Sequence, residues 1–374
     1  MTDRGNNETD YTGNASVTTQ VSAFLDSGLL IVAAIESYIS YAVIGVAIFG
    51  TAANAVVFYA LIVHNARQAK KRIVNLLIIN QNLLDLCCCV TIVIGLSISV
   101  SNINLIGDLG NVLCFFFINE NLAMCFLNAT VINLIAVTIE RYLKVVYPFW
   151  SKKYLTSWMI HAAIVFSWIA GILSVVPAAA GCVTSVVIDG VCFFYFNSSE
   201  IRQAYMIWNF LSFFLLPLIV FVYCYGHIVV VMRRQMRVMA GHNVEGAAQS
   251  ASQAQSKRAK WNVIKTMIIV SVFFTICWCP VNVYVILMDG VSDITLRFII
   301  FLATLFLPYV NISLNPFIYA TKHEGVKRIL GRMIICRKRD DVSVAVVGTS
   351  GTIRNTSDRG TKKDNNSVLP TVNI

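Results

Sequence analysis

The stretch NVLCFFFINENLAMCFLNATVINLIAVTIERYLKVV, from Asn111 to Val146, decides the fold of this chain. It starts just after Gly110, takes in Cys114, runs through mostly apolar residues and ends at Glu140-Arg141-Tyr142, ahead of Pro148. About 20 apolar residues let a helix cross a bilayer, and this run is longer than that. A charge at bilayer depth costs several kcal/mol, and less near the water interface, so a Glu-Arg pair at the end of such a span needs a reason. In this reading Arg141 leans on Glu140 and faces the cytosol. The plainer alternative is a positive anchor at the interface.

Composition extends the membrane reading to the whole chain. Of 374 residues, 57% are hydrophobic and only 13% are charged, with a mean hydropathy of +0.70. That balance does not suit a soluble domain, and long uncharged runs read as transmembrane helices. A formal net charge of +10 would suggest nucleic acid in a soluble chain. Here the basic residues collect in alternate loops, which is the orientation signal of membrane insertion. No basic stripe with interleaved aromatics offers bases a stacking platform.

Residues 1–36 form a polar tail rich in Asn, Thr and Ser, with Asp3, Glu8, Asp10 and Asp26. No basic segment with an apolar core opens it, so no cleavable signal peptide is expected. Asn7 and Asn14 head glycosylation sequons if this end is outside. The first span is expected over about Ser37–His64, followed by Arg67, Lys70, Lys71 and Arg72. The second, about Ile73–Ser99, leads to a loop with Asp108 and no Lys or Arg. Lys144, Lys152 and Lys153 follow the third. The fourth, about Trp158–Ala180, precedes a loop carrying Arg202 against Asp189 and Glu200.

The fifth span, about Ala204–Met232, runs into a basic segment with Arg233, Arg234, Arg237, Lys257, Arg258 and Lys260. Within it Ala240–Gln255 reads as a flexible linker. The sixth span, about Val263–Met288, and the seventh, about Leu296–Ala320, are joined by a loop with Asp289 and Asp293. The expected fold is an all-α membrane protein: a seven-transmembrane helix bundle over 37–320 and a short amphipathic eighth helix over 321–337. A disordered cytoplasmic tail over 338–374 completes it. Seven crossings with alternating basic loops place the start outside and the end inside.

Polar residues inside the spans carry the next inference. Asp85 has no neighbouring charge in sequence, so it should face the bundle interior or a water-filled cavity. Asn54, Thr130, Asn311 and Asn315 are its candidate companions from other helices. Oxygen and amide groups converging on a carboxylate suit water or an allosteric Na⁺ ion; a structural hydrogen-bond cluster is the alternative. Pro177, Pro217, Pro280 and Pro316 each remove a backbone hydrogen bond and should bend four helices. Trp278 sits just before one such hinge.

These motifs together resemble one family, the rhodopsin-like (class A) G-protein-coupled receptors. The resemblance runs from Asn54 to Cys336 and rests on Asn54, Asp85, Glu140-Arg141-Tyr142, Trp168, Pro217 with Tyr225, Cys277-Trp278-Cys279-Pro280 and Asn315-Pro316-Phe317-Ile318-Tyr319. Each motif alone is weak; in order on successive spans they are highly specific. The resemblance implies that Arg141 leaves Glu140 on activation and meets the C-terminal helix of a G-protein α-subunit. Tyr225 and Tyr319 would then share a water-bridged contact.

Trp278 and Phe274 would couple the pocket to outward motion of the sixth helix, with Pro217 and Val131 in the same transmission region. Phe149 would dock in a hydrophobic pocket of the G protein. The ligand pocket is expected near Glu120, Asn121, Met124, Trp278, Asn282, Leu305 and Tyr309. Cys336 resembles a palmitoylation site. Arrestin, receptor kinases and membrane lipids are further expected partners, with Ser343, Thr349, Ser350, Thr352, Thr356 and Ser357 as phosphorylation candidates.

Most of the eleven cysteines lie in apolar spans and read as packing residues, not as a disulfide framework. Cys114, Cys182 and Cys192 are the outer candidates. By the resemblance Cys114 is the family's loop cysteine, and we pair it with Cys192 because Cys182 follows the fourth helix too closely. Residues 183–188 and 191–196 are β-prone runs around Asp189-Gly190, a hairpin signal. Such a hairpin resembles peptide-binding members of the family; an irregular lid is the alternative.

Departures from the pattern limit the ligand classes. The position where amine receptors carry Asp falls on Ala123 counting back from Arg141, and on Asn121 counting forward from Cys114. The third span is thus two residues longer than usual, which a bulge would absorb, and the pocket register stays open. Neither count supplies an Asp. Tyr309 stands where opsins need a retinal-bearing Lys, which disfavours a light receptor. Glu120 and Asn121 would face a basic ligand group. Gln81 replaces a usual Leu, and no acid lies near Lys260 to hold Arg141 a second time, which would raise ligand-free signalling.

A peptide is favoured over a small molecule or lipid. A seven-span transporter or channel would need repeats or a polar route, and neither is evident. An enzyme would need clustered His or acids at the bilayer face, whereas His64, His227 and His323 are scattered.

Overall fold

The structure, a computed structural model, describes residues 11–66, 76–101, 103–240, 247–288, 294–322 and 326–332, with side chains from Ala34 onward except at 181–183, 236, 238–240, 247–260, 263, 294–295, 298 and 319–322. The chain divides into two units, Met1–Ile329 and Leu330–Ile374. Of the second, residues 330–332 are described. In chain order the elements are α1 (Tyr11–Ala66), α2 (Leu76–Val100), α3 (Gly107–Leu113), α4 (Asn121–Val146), α5 (Pro148–Tyr154), α6 (Ser157–Pro177), β1 (Val183–Ile188), β2 (Val191–Phe196), α7 (Ser199–Phe210), α8 (Leu216–Ala240), α9 (Ala247–Leu287) and α10 (Ile294–Lys322).

Among the described residues, seven helical stretches are long and apolar enough to cross a membrane. The third, made of α3 and α4, has 61% of its most apolar window buried, against 22–39% in the others. It is the hub of the bundle: α4 packs on α2, α6 and α8, while α10 packs on α1 and α9. The outward faces are apolar too, with Phe166, Leu173, Val222 and Ile276 exposed. In water such a surface would aggregate; in lipid it is the expected exterior.

Since lipid is as apolar as leucine, side-chain hydrogen bonds and close packing must hold the helices together. Asn80 Nδ2 donates to Asn133 Oδ1 at 2.9 Å, Asn133 Nδ2 to Gln81 Oε1 at 2.7 Å, and Trp168 Nε1 to Asn80 Oδ1 at 2.9 Å. This cluster ties α2, α4 and α6 and explains Gln81, whose carbonyl meets Asn133. Gly95 lets α2 approach the third span closely: a Cβ there would fall on the Phe117 carbonyl, whereas Gly45 has nothing nearby. Gly95→Val is therefore expected to lower the melting temperature of the purified protein well below that of Gly45→Val. Overpacking costs about 1–3 kcal/mol, so equal melting temperatures would remove Gly95 from the packing account.

Among the described residues, three five-residue π segments interrupt the spans, at Cys114–Ile118, Ala178–Cys182 and Leu211–Leu215. Two adjoin prolines, Pro177 and Pro217, whose missing N–H breaks the regular ladder. The third precedes Glu120, whose φ of 55° ends one helix before α4 begins. The two surplus residues are thus absorbed by a π segment and a left-handed residue together. Pro308, which the sequence reading passed over, lies inside α10 with Pro316. The hairpin forms over the expected runs, with Val183 opposite Phe196 and Ile188 opposite Val191. Asp189 and Gly190 have φ of 51° and 79°, the paired positive values of a type I′ turn.

Two expectations change. The flexible linker is helical from Ala247, because Ala, Gln and Lys favour helix and α9 extends through them; residues 241–246 lie outside the described part. The first helix begins at Tyr11, ahead of the expected span, and its membrane-length part is Ala34–Ala66. Asn14 falls within that helix, whereas Asn7 lies outside the described residues. Residues 326–332 are helical, with Val326 and Ile329 buried and Lys327 and Arg328 exposed. Cys336 and the tail serines and threonines lie outside the described residues.

Candidate functional site

At the end of α4, Arg141 Nε lies 3.1 Å from Glu140 Oε2, with side-chain exposures of 14% and 4%. The Arg141 Nε–H has no well-directed hydrogen bond, so this contact is an ion pair. Glu140 also takes a close contact from Lys144, one turn on. Its charge is therefore shared between two cations. Tyr142 turns to α8, where its hydroxyl is 3.1 Å from His227 Nδ1. Just beyond, Pro148 opens α5 and leaves Phe149 85% exposed, available to a partner.

An aromatic series leads from this end toward the middle of the bundle. Tyr225 is buried, its hydroxyl 3.0 Å from Thr138 Oγ1. Thr138 donates its proton to the Leu134 carbonyl, so the Tyr225 hydroxyl is the donor between them. Rings then follow at Phe221, Phe274 and Trp278, with centroids 6.4, 5.9 and 5.7 Å apart in turn from Tyr225. Asn282 donates to the Trp278 carbonyl at 2.9 Å, bracing the helix beside Pro280.

Asp85 is fully buried at mid-span. Thr130 Oγ1 donates to it at 3.2 Å and Asn315 Nδ2 at 3.1 Å. Asn54 stands apart from the carboxylate: its Nδ2 donates to the Gly50 and Ile312 carbonyls at 3.0 and 3.2 Å, joining α1 to α10. Asn54 Oδ1, Asn311 Nδ2, Asn315 Oδ1, Gln81 Nε2 and both amide atoms of Asn82 are buried without a partner among the described residues. Buried polar atoms are rarely left so, and ordered water is the usual partner.

Toward the other end, Tyr309 donates its hydroxyl to Glu120 Oε2 at 2.5 Å. The left-handed turn at Glu120 carries this carboxylate toward α10. Among the described residues no cation pairs with it. Tyr309 belongs to an apolar cluster with Cys88, Ala123 and Leu127, against which Trp278 and Leu305 pack. Asn121 instead uses its amide at 2.8 Å on the Phe115 carbonyl freed by the π segment, so its donor supports the backbone. Met124 is exposed and lies outside that cluster.

The hairpin is fixed above this region. Cys114 and Cys192 form a disulfide with Cα atoms 5.4 Å apart. Asn119 Nδ2 donates to Ser185 Oγ at 2.9 Å, and Leu105 N to the Gly190 carbonyl at 3.1 Å.

This arrangement matches a family model described as 7 transmembrane receptor (rhodopsin family), over residues 53–319. The chain belongs to the rhodopsin family of seven-transmembrane receptors. It is similar to the mouse substance-K receptor, at 27% identity over 82% of this chain and 76% of that one. It is also similar to human 5-hydroxytryptamine receptor 4, at 26% identity over 72% and 73%. The crystal structure of squid rhodopsin shares the fold, with a TM-score of 0.65 and 18% identity over 80% of this chain and 85% of that one.

As a rhodopsin-family receptor the chain is a multi-pass membrane protein that couples to G proteins and is not an enzyme. Sequence reasoning missed Phe221, the ring between Tyr225 and Phe274, and Lys144, the second partner of Glu140. Both stand four residues from a residue already singled out, the spacing that faces two side chains together on a helix. The Tyr319 side chain lies outside the described residues; Val131 and Pro316 are placed in their helices, Val131 fully buried.

Proposed function

We propose that this receptor binds an extracellular peptide bearing a basic group, beneath the hairpin, with its start outside and its end in the cytosol. The observation that supports the ligand class is Glu120: a carboxylate inside the bundle whose partner is one hydroxyl and, among the described residues, no cation. Such a charge is costly until an opposite charge reaches it. An ammonium or guanidinium of the ligand would be that partner, held against Tyr309 and flanked by Leu305 and Trp278. The hairpin, open along the outer edge of β2, suits an extended peptide, whose main chain can add to a strand edge. A small amine would satisfy Glu120 equally but would not use the hairpin.

The signal would pass from Trp278 through Phe274 and Phe221 to Tyr225, freeing Arg141 from Glu140 for the G-protein α-subunit, with Phe149 as a second contact. Ligand shifts this equilibrium only if it prefers the open form. Arrestin and receptor kinases are partners of the cytosolic tail in this reading, and Asn7, Asn14 and Cys336 its modification sites.

The test is nucleotide exchange on a purified G protein, screened with basic and neutral peptides. An activating basic peptide is expected to lose roughly 30-fold or more in potency on Glu120→Gln, the effect of stranding one member of a buried charge pair. Equal potency on both receptors refutes the assignment, and activation by small amines alone makes the ligand a small molecule.

Ligand-free exchange carries a second expectation. Because Glu140 is shared with Lys144, basal exchange should be measurable. The oxygens of Asp85, Thr130 and Asn315 fit Na⁺, a cation that takes oxygen ligands, and NaCl in place of KCl should lower basal exchange in the wild type but not in Asp85→Asn. A receptor silent without ligand, or a sodium effect that survives Asp85→Asn, contradicts this.

A further inference from the structure

A groove of about 260 Å³ runs along the outside of the bundle between α4 and α6, away from the ligand region. Its walls are apolar, with Ile132, Ala136 and Ile139 on one side and Met159, Ala163 and Phe166 on the other. The small side chains Ala136 and Ala163 leave the space open. Ile139, Met159 and Phe166 are exposed along it, so it faces the lipid. From Leu143 to Ile132 it follows α4 for about 16 Å at 1.5 Å per residue, close to the depth of one leaflet of a 30 Å core.

Its lower end is charged. Glu140 lines it, neutralised by Arg141 and Lys144. Lys152 and Lys153 are exposed on α5, three and two residues before Leu155, which lines the groove, with Lys153 Nζ 4.9 Å from the centre of the Tyr154 ring. Five residues on from Lys153, Trp158 is 77% exposed, an amphipathic ring of the kind found at headgroup level. Apolar walls one leaflet deep, ending in an excess of positive charge, are complementary to an acyl chain below an anionic headgroup. Anionic phospholipid is concentrated in the cytoplasmic leaflet and attracts basic segments beside a span.

We propose that this groove is a binding site for an anionic phospholipid, with one acyl chain between Ala136 and Ala163 and the phosphate at Lys152 and Lys153. The chain then packs against the lipid-facing side of the Glu140–Arg141 pair. The inference rests on the cytosolic assignment of α5 made above. That assignment is tested separately, by whether Lys152 in intact cells resists a membrane-impermeant amine label.

The experiment is native mass spectrometry of the full-length receptor, titrated with phosphatidylserine or with phosphatidylcholine of the same acyl chains. The wild type should retain phosphatidylserine roughly tenfold better. Lys152→Gln with Lys153→Gln, both on the exposed surface, should bring the two lipids to near parity. Ala163→Phe, which fills the groove and leaves every charge in place, should lower phosphatidylserine retention several-fold. Equal retention of the two lipids by the wild type overturns the site, as does a wild-type preference in the double lysine variant or wild-type phosphatidylserine retention in Ala163→Phe. Neither ligand nor G protein enters this measurement, so a failed exchange assay would leave its result standing.

Discussion

Receptor carrying Arg141→Gln is expected to reach the cell surface and to fail at driving nucleotide exchange. Arg141 is nearly buried, ends the central span and is held by Glu140 alone among the described acids. Its guanidinium offers five donors in a fixed fork; glutamine offers two and no charge. Losing one partner of a desolvated charged contact costs about 2–5 kcal/mol, or roughly 30-fold or more in the coupled complex. The reverse change, Glu140→Gln, removes the partner of both Arg141 and Lys144 and should raise ligand-free exchange. If Arg141→Gln signals normally at matched surface density, the ion pair is an interfacial anchor, the plainer reading with which the sequence argument began.

The second large effect concerns the outer end. Cys114→Ser, alone or with Cys192→Ser, should sharply lower both thermal stability and ligand potency. The bond joins residues 78 apart, and closing a loop of that length is worth about 4.5 kcal/mol in the chain-entropy model. The hairpin would keep the Asn119–Ser185 and Val187–Asn111 hydrogen bonds to the third span and the Leu105–Gly190 bond to the loop before it. Melting of the purified variants checks the first half, and ligand titration the second. A melting temperature unchanged from wild type would show that the hairpin is positioned without the disulfide.

Much of this was legible before the structure. Seven apolar runs with alternating basic loops follow from the energetics of backbone burial in lipid, which forces helix on every span. The hairpin was legible because Asp189-Gly190 fits a turn needing two positive φ values and little else does. The two surplus residues between Cys114 and Arg141 were countable, but their placement was not. Local propensity points to Asn119 or Asn121, since Asn turns left-handed more readily than Glu, yet the turn falls on Glu120 and sends its carboxylate to Tyr309. Asn121 was expected in the pocket and instead caps the Phe115 carbonyl, a demand created by the π segment itself.

Asp85 and its companions show the same boundary. Asn315 and Thr130 reach the carboxylate, while Asn54, one helix away, bonds the Ile312 carbonyl. Which polar groups meet depends on helix rotation, and side chains around a span differ in facing by a fraction of a turn that hydropathy does not encode. The helical stretch after Ala247 was misread for another reason. Small polar residues suit both linkers and helices, and the α9 helix already formed beyond them decides in favour of helix.

The most direct measurement is the distance between spin labels at Asn262→Cys, on the inner part of α9, and His161→Cys, at the start of α6. Both positions are exposed. On adding nucleotide-free G protein, the distance distribution should move outward by several ångströms in the wild-type background and stay put in Arg141→Gln. A distribution that does not move on G-protein binding, or that moves equally without Arg141, contradicts the account.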